Sequence, residues 1–308
     1  MANFLMAMSL WRTTRFAIDL SRPRVMGIVN VTPDSFSDGD PALTPARALA
    51  RCERLLADGA DLLDIGADSS RPGATPVGLE VERARLLPVL VEALKLGRPI
   101  SVDTTRPDVM RAALDLGADI VNDISALRAP GSLEVVAAHG SCGVGLMHMR
   151  GTPQTMQRDV GYDDVVSEVS TFLRERLAAA RSAGIGADRL VVDPGIGFGK
   201  TPAHNLQLLE RQRELLALGV PLLVGWSRKS TLARLVGVTT APAARSADDR
   251  ARVDAASVVA AVLAVERGAR IVRVHDVAAT VAALAVWRAA SGTTDNRAAA
   301  STARNDLS

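Results

Sequence analysis

Asp58-Gly-Ala-Asp-Leu-Leu-Asp-Ile-Gly66 is the stretch on which the fold turns. An amphipathic run, Thr44–Asp58, stops at Gly59, a residue free to take the left-handed conformation that ends a helix and redirects the chain. An apolar run, Asp61–Gly66, follows almost at once. The same joint returns as Leu116-Gly-Ala-Asp119 and as Arg267-Gly-Ala-Arg270. A helix that hands over to a strand repeatedly through one short joint defines a βα unit, and chains of such units lay their strands parallel.

Around these joints, eight short runs rich in β-branched residues read as strands: Arg24–Val31, Asp61–Gly66, Pro99–Asp103, Asp119–Ile124, Gly143–His148, Leu190–Asp193, Pro221–Gly225 and Arg270–Val274. Amphipathic stretches separate them: Thr44–Asp58, Val81–Leu96, Pro107–Leu116, Asp163–Ala183, Asn205–Leu218 and Ala247–Arg267, with Ala278–Arg288 after the last. Eight units point to a closed barrel rather than an open sheet. An open dinucleotide-binding sheet would also need Gly-x-Gly-x-x-Gly after its first strand, where this chain has Val31-Thr-Pro-Asp-Ser-Phe36. The expectation is an α/β protein with one (β/α)8 TIM barrel over residues 24–290 and long mobile loops after strands 1 and 2. Residues 1–23 read as an N-terminal extension. The small polar tail, 291–308, is expected to be disordered.

Composition narrows the function. The formal net charge is +2 and no run of five or six like charges occurs, so no nucleic-acid partner is expected. No window approaches a membrane span, and the N-terminus lacks the basic start of a signal peptide. Cys52 and Cys142 stand far apart, without the spacing of a metal site or a disulfide framework, and read as buried reduced thiols in a cytoplasmic protein.

In such a barrel the active site forms at the C-terminal ends of the strands, and here those ends are polar. Asp103, Asn122 and Asp193 close apolar strands, where a buried charge is costly unless it finds a donor. A heterocycle with ring N–H and amino groups would supply donors, since a carboxylate accepts two parallel N–H bonds. Asn30, Asp64 and His148 stand at further strand ends. A cationic group, Arg228, Lys229, Arg273 and His275, follows strands 7 and 8. With Ser230 opening a helix, it suits a phosphate or carboxylate. Two loops, Asn30–Asp40 and Gly66–Ala74, are rich in Gly, Pro, Ser and Asp and read as lids. Asn30 with Asp34 or Asp38 offers oxygen to a hard cation such as Mg²⁺, which takes few protein ligands beside substrate phosphates. Gly195-Ile-Gly-Phe-Gly-Lys-Thr201 resembles the end of a P-loop, but Pro194 stands where the first glycine belongs, so an ATPase is rejected. Neither a Gly-x-Ser-x-Gly elbow nor a zinc helix occurs, and His139 and His204 read as structural.

These motifs together resemble the dihydropteroate synthases. Met26–Gly39 is similar to that family's opening signature and Asp64–Gly73 to its second. Ser101-Val-Asp-Thr104, Asn122-Asp-Ile124, Met147-His-Met149, Asp193–Lys200, Gly225–Ser230 and Arg273-Val-His-Asp276 follow in family order. The resemblance implies condensation of 6-hydroxymethyl-7,8-dihydropterin diphosphate with 4-aminobenzoate, giving 7,8-dihydropteroate and diphosphate for folate synthesis, with Mg²⁺ as cofactor. It implies a pterin pocket of Asp103, Asn122, Asp193 and Lys229, with Ile124 and Met147 against the ring. Asn30, Arg273 and His275 would hold the diphosphate, with the metal at Asn30. Phe36, Ser70, Arg71 and Pro72 would close over aminobenzoate, with Phe198 and Ser230 completing its pocket. Asp34, Asp38, Lys229, Arg273 and His275 carry the catalytic assignments. A homodimer and susceptibility to sulfonamides are also implied.

Two positions depart from the family pattern: Ala67-Asp68 stands where Gly-Glu is usual, and Thr105-Arg106 where an aromatic residue or serine precedes lysine. Both departures keep charge. Two rival readings share the pocket: a pterin-binding methyltransferase and a pterin-binding paralogue without turnover.

Overall fold

We describe a computed structural model of the chain, covering residues 9–32, 44–71, 73–158 and 160–291. The described residues begin with a small antiparallel hairpin, β1 (Leu10–Arg12) and β2 (Ala17–Asp19). Eight strands then follow: β3 (Arg24–Asn30), β4 (Leu62–Gly66), β5 (Ile100–Asp103), β6 (Ile120–Asp123), β7 (Gly143–Met147), β8 (Leu190–Asp193), β9 (Leu223–Val224) and β10 (Ile271–Val274). They pair in the order β8-β7-β6-β5-β4-β3-β10-β9, every pair parallel. A parallel bridge between Val192 and Leu222 joins the two ends, so the sheet closes into the expected barrel. Each expected strand appears within a residue or two, except that the seventh shrinks to two residues.

The first helices are α1 (Pro45–Ala57), α2 (Leu79–Ala93), α3 (Pro107–Asp115) and α4 (Ser132–His139). After them come α5 (Val165–Ser182), α6 (Pro202–Glu210), α7 (Ser230–Leu235), α8 (Ala247–Glu266) and α9 (Val277–Ala290). α4 has no counterpart among the amphipathic stretches above. The long run Asn205–Leu218 divides into α6 and a 3₁₀ segment, Gln212–Leu218. The repeated joint behaves as its composition requires: Gly59, Gly117 and Gly268 have φ of 102°, 103° and 99°. The aspartates that follow two of these glycines tie neighbouring strands. Asp61 accepts from the Val25 N–H at 2.9 Å, and Asp119 from the Ile100 N–H at 2.9 Å.

Strand alternation divides the barrel into an outer apolar layer and a graded interior. Outward residues such as Leu63, Val102, Val144 and Val272 join the main core beneath the helices. Inward residues at the N-terminal end, Met26, Leu62, Ile120, Val191, Leu223 and Ile271, form a separate apolar floor. The hairpin seals that floor: Trp11, Ile18 and Leu20 pack onto it, and the Trp11 indole N–H donates to the Arg189 carbonyl at 2.9 Å. Above the floor the inward positions turn polar, and the site begins there.

Candidate active site

Asp64, Asp103, Asn122 and Arg273 form one bonded group inside the barrel. Register explains their meeting. Asp103 pairs with Gly66 on one side and Asn122 on the other, while Asp64 lies two residues before Gly66 on the same face. Arg273 donates from Nε to Asp64 Oδ2 at 2.6 Å and from Nη2 to Asp103 Oδ2 at 2.9 Å. The Asn122 side-chain N–H₂ also donates to Asp64 Oδ2, at 3.1 Å. Burial pushes the Asp103 carboxyl up to about 7; Arg273 opposes that rise and Asp64 adds to it. For Arg273, burial pulls downward, but Asp64 and Asp103 outweigh it and its pKa ends above the usual value.

Asp193 closes β8 and accepts from the Gly195 N–H at 2.7 Å. Burial raises it to about 6, against the pull of that bond and of Lys229. Lys229, the residue capping α7, sets its Nζ 4.1 Å from the centre of the Phe198 ring. Burial lowers it to about 8, with Asp193 resisting. Ile124, Met147 and Phe198 join Met149 and Met156 in one apolar cluster separate from the main core. The mouth thus offers acceptors, a soft cation and flat apolar contacts, the requirements of a polar heterocycle.

His275 follows β10. Its backbone N–H donates to Ser227 Oγ at 3.1 Å, and its Nδ1 lies 2.9 Å from the same oxygen. Where the Ser227 hydroxyl donates to Nδ1, the ring proton sits on Nε2. Burial, then the charges of Arg228, Arg273, Arg71 and Arg51, hold the imidazole well below its usual pKa. His275 is therefore a neutral imidazole surrounded by cations, an environment that an anion would complete.

Asn30 ends β3, half-buried and in register with Gly66. Ser70 is half-buried and Arg71 exposed in the loop after β4. That loop is tied to the one after β7 by the Gly73 N–H to Pro153 carbonyl bond at 3.2 Å and by the Gln154 side chain on the Ala74 carbonyl at 3.1 Å. Ser230 opens α7 and is exposed. Asp34, Phe36, Asp38 and Pro72 lie outside the described residues.

Other polar strand ends face away from the mouth. Asp123 serves its own loop, accepting from the Ser125 and Leu127 N–H groups at 2.7 and 2.8 Å. His148 packs edge-on to Phe172 and bonds Lys200. Arg228, expected to join the anion site, pairs outward with Asp254 at 2.7 Å. The two departures from the family pattern meet in space: Arg106 sits 2.9 Å from Glu82 and 3.9 Å from Asp68. Lys200, the residue that suggested a P-loop, is buried. Its Nζ reaches His148 Nδ1 at 2.8 Å and the Gly195 and Phe198 carbonyls at 3.0 Å each, clamping the loop beneath Phe198. Ser227 and Lys200 were read only as members of motifs, without a role, and Asp64 only as a polar strand end. The one signal for Asp64 is its spacing of two from Gly66, which puts both on the inward face.

A closed parallel barrel with this mouth defines a class, and the comparisons with known proteins agree on it. Residues 26–275 match the family model described as pterin binding enzyme, and the chain belongs to that family. Among its relatives, the dihydropteroate synthase of Neisseria meningitidis serogroup C is 50% identical over 92% of this chain and 98% of its own length. The Xanthomonas albilineans dihydropteroate synthase solved with 4-aminobenzoic acid superposes with a TM-score of 0.81 at 51% identity, over 89% of this chain and 95% of that one. The Yersinia pestis dihydropteroate synthase, solved as a sulfonamide drug complex, gives 0.84 at 42% identity over 92% and 99%. Within the family this chain falls among the dihydropteroate synthases, transferases that join 6-hydroxymethyl-7,8-dihydropterin diphosphate to 4-aminobenzoate in folate biosynthesis.

Proposed function

We propose that the inward acids at the barrel mouth hold the pterin and that the Arg273–His275 corner takes its diphosphate. Asp103 and Asp193 accept N–H donors from the amino-pyrimidinone edge, and Asn122 and Lys229 read its remaining polar atoms. Ile124 and Met147 pack on the ring. The observation that carries this reading is the state of the two acids. Both are pushed up towards neutrality by burial, so both gain when a ligand brings N–H donors to them.

Reaction begins with cleavage of the bond between the pterin methylene carbon and the bridging diphosphate oxygen. The electron pair leaves with diphosphate, and the dihydropterin ring delocalises the resulting positive charge. Arg273 and neutral His275 donate hydrogen bonds to the departing oxygens, where charge grows. The 4-aminobenzoate nitrogen then attacks the methylene carbon and releases its proton to solvent or to diphosphate. No strong base is required, because an aromatic amine is already neutral near pH 7. Phe198 and Ser230 form the aminobenzoate pocket, with Ser70 and Arg71 beside them. Asp34, Phe36, Asp38 and Pro72 are assigned to the same reaction, in loops that would exclude water from the cation. A sulfonamide would compete for that same pocket.

A divalent cation suits this corner. Asn30, at the end of β3, offers one hard oxygen. That donor set fits Mg²⁺ arriving with the diphosphate, because Mg²⁺ binds through few protein ligands and substrate phosphates. When bound, it would neutralise charge on the leaving group.

Residues 24–290 form the catalytic barrel of a homodimer, consistent with Leu235, Val259 and Val286 on α7, α8 and α9, which are 58, 58 and 71% exposed. A cytoplasmic location accords with two free, buried cysteines. Among the described residues, no helix is long and apolar enough to cross a membrane. Arg273→Ala is the test of the site. Turnover should fall by ~10²–10³ while the KM for 4-aminobenzoate changes little. Unchanged turnover would remove Arg273 from the mechanism.

A further inference from the structure

Asp64 is fully buried within the barrel and is hydrogen-bonded to two residues assigned to opposite ends of the pterin diphosphate. One oxygen, Oδ2, accepts from Arg273 Nε at 2.6 Å and from the Asn122 amide at 3.1 Å. The other, Oδ1, is buried with no hydrogen-bond partner among the described residues. A carboxylate held solely for stability would be expected to satisfy both oxygens, since an under-satisfied buried charge is costly. This one concentrates two donors on a single oxygen instead.

The consequence for Asn122 is chemical. An amide can be turned either way in the same space, and the two ways exchange an acceptor for a donor. Asp64 accepts only, so it selects the orientation in which the Asn122 N–H₂ points down to it and the carbonyl oxygen stays available for the substrate. For Arg273, the bond at Nε fixes the plane of the guanidinium while Asp103 holds Nη2, so the remaining N–H groups have a set direction. We propose that Asp64 is a positioning residue that sets the hydrogen-bond polarity of Asn122 and the aim of Arg273, coupling pterin recognition to the diphosphate end. This rests on the reading that Asn122 and Arg273 contact the pterin diphosphate.

Electrostatics adds a second signature. The charges that act most on Asp103 are Arg273 on β10, Asp64 on β4, Asp123 on β6 and Glu82 on α2, and Lys229 at the start of α7 interacts with it as well. Asp64 is among those that raise Asp103. Removing its charge lowers the Asp103 pKa and moves the acidic limb of pterin binding to lower pH.

The experiment uses the full chain with both substrates. Asp64→Ala deletes the acceptor, whereas Asp64→Asn keeps the shape and an acceptor oxygen but removes the charge, and remains usable if the alanine variant does not fold. For Asp64→Asn, the KM for pterin diphosphate should rise about tenfold, the scale of exchanging a charged hydrogen bond for a neutral one. The KM for 4-aminobenzoate should stay within about twofold, and the acidic limb of kcat/KM should move down in pH. Asp64→Ala should lose more of kcat/KM for pterin diphosphate than Asp64→Asn. Equal losses for both substrates with a lowered melting temperature and an unmoved acidic limb would make Asp64 merely structural and overturn the proposal. So would wild-type constants in Asp64→Asn. Asn122→Ala and Arg273→Ala separate the two levels. If both bind pterin diphosphate normally, the site reading fails and this proposal with it. If both are impaired while Asp64→Asn is not, only the role of Asp64 is refuted.

Discussion

Gly195→Ala places one methyl group where the barrel mouth has least room. Gly195 has φ of +69°, and a Cβ built on it would lie 1.9 Å from the His148 carbonyl oxygen. Close carbon–oxygen contacts run at ~3.3–3.6 Å, so the two backbones must separate by more than an ångström. A left-handed alanine costs ~1–2 kcal/mol before any clash is counted. The separation also endangers the Gly195 N–H bond to Asp193 at 2.7 Å and the Lys200 bond to the Gly195 carbonyl at 3.0 Å. Each buried group left unpaired costs ~1–3 kcal/mol. The total loss is then about 3–8 kcal/mol, a large share of a domain's usual ~5–15 kcal/mol. At roughly 2–4 °C per kcal/mol for a large domain, the melting temperature should drop by about 6 °C or more. Thermal unfolding followed by circular dichroism reads this, and calorimetric titration with pterin diphosphate reads the loss of Asp193 placement. A melting temperature within about 2 °C of wild type, with unchanged affinity, would refute the reasoning from backbone approach.

Three further outcomes follow from the same geometry. Asp103 and Asp193 accept N–H bonds best when ionised, and with values of about 7 and about 6 they become protonated as pH falls through that range. Lys229, at about 8, loses its charge above it. Pterin diphosphate affinity should therefore peak between pH 7 and 8 and fall on both sides; a constant Kd from about pH 5 to about pH 9 by calorimetry would contradict the assignment. Lys200→Met keeps the buried stem but removes the three bonds to His148, Gly195 and Phe198. It should cost ~3 kcal/mol in chemical denaturation and raise the KM for 4-aminobenzoate through a displaced Phe198. An unchanged unfolding midpoint would deny the clamp. Trp11→Ala should cost ~3–5 kcal/mol by opening the barrel floor while leaving both KM values unchanged. A selective change in substrate binding would show that the hairpin reaches the site.

The barrel was legible because its signals are local and repeated. Gly59, Gly117 and Gly268 each end a helix, and the apolar runs after them have the length of strands. The hairpin at Leu10–Asp19 was not legible, since three-residue strands carry too little alternation to be read and their apolar residues matter only once a floor exists to cover. α4 was hidden for a related reason: eight residues between Gly131 and Gly140 are too few for a clear period. At the site, sequence named the residue types but not their directions. Asn122 and Asp123 are adjacent, and only strand parity sends one into the barrel and the other to its loop. Arg228 and Arg273 both looked like anion ligands, yet Asp254, far along the chain, draws Arg228 outward. Lys200 turns back into the protein because three acceptors converge there, and nothing in its local sequence reports them.

Diphosphate release by the purified protein, supplied with pterin diphosphate and Mg²⁺, is to be measured with and without 4-aminobenzoate. Release should depend on 4-aminobenzoate and be matched by one 7,8-dihydropteroate for each diphosphate. Bound pterin diphosphate with no release in the presence of both substrates would contradict the proposed reaction.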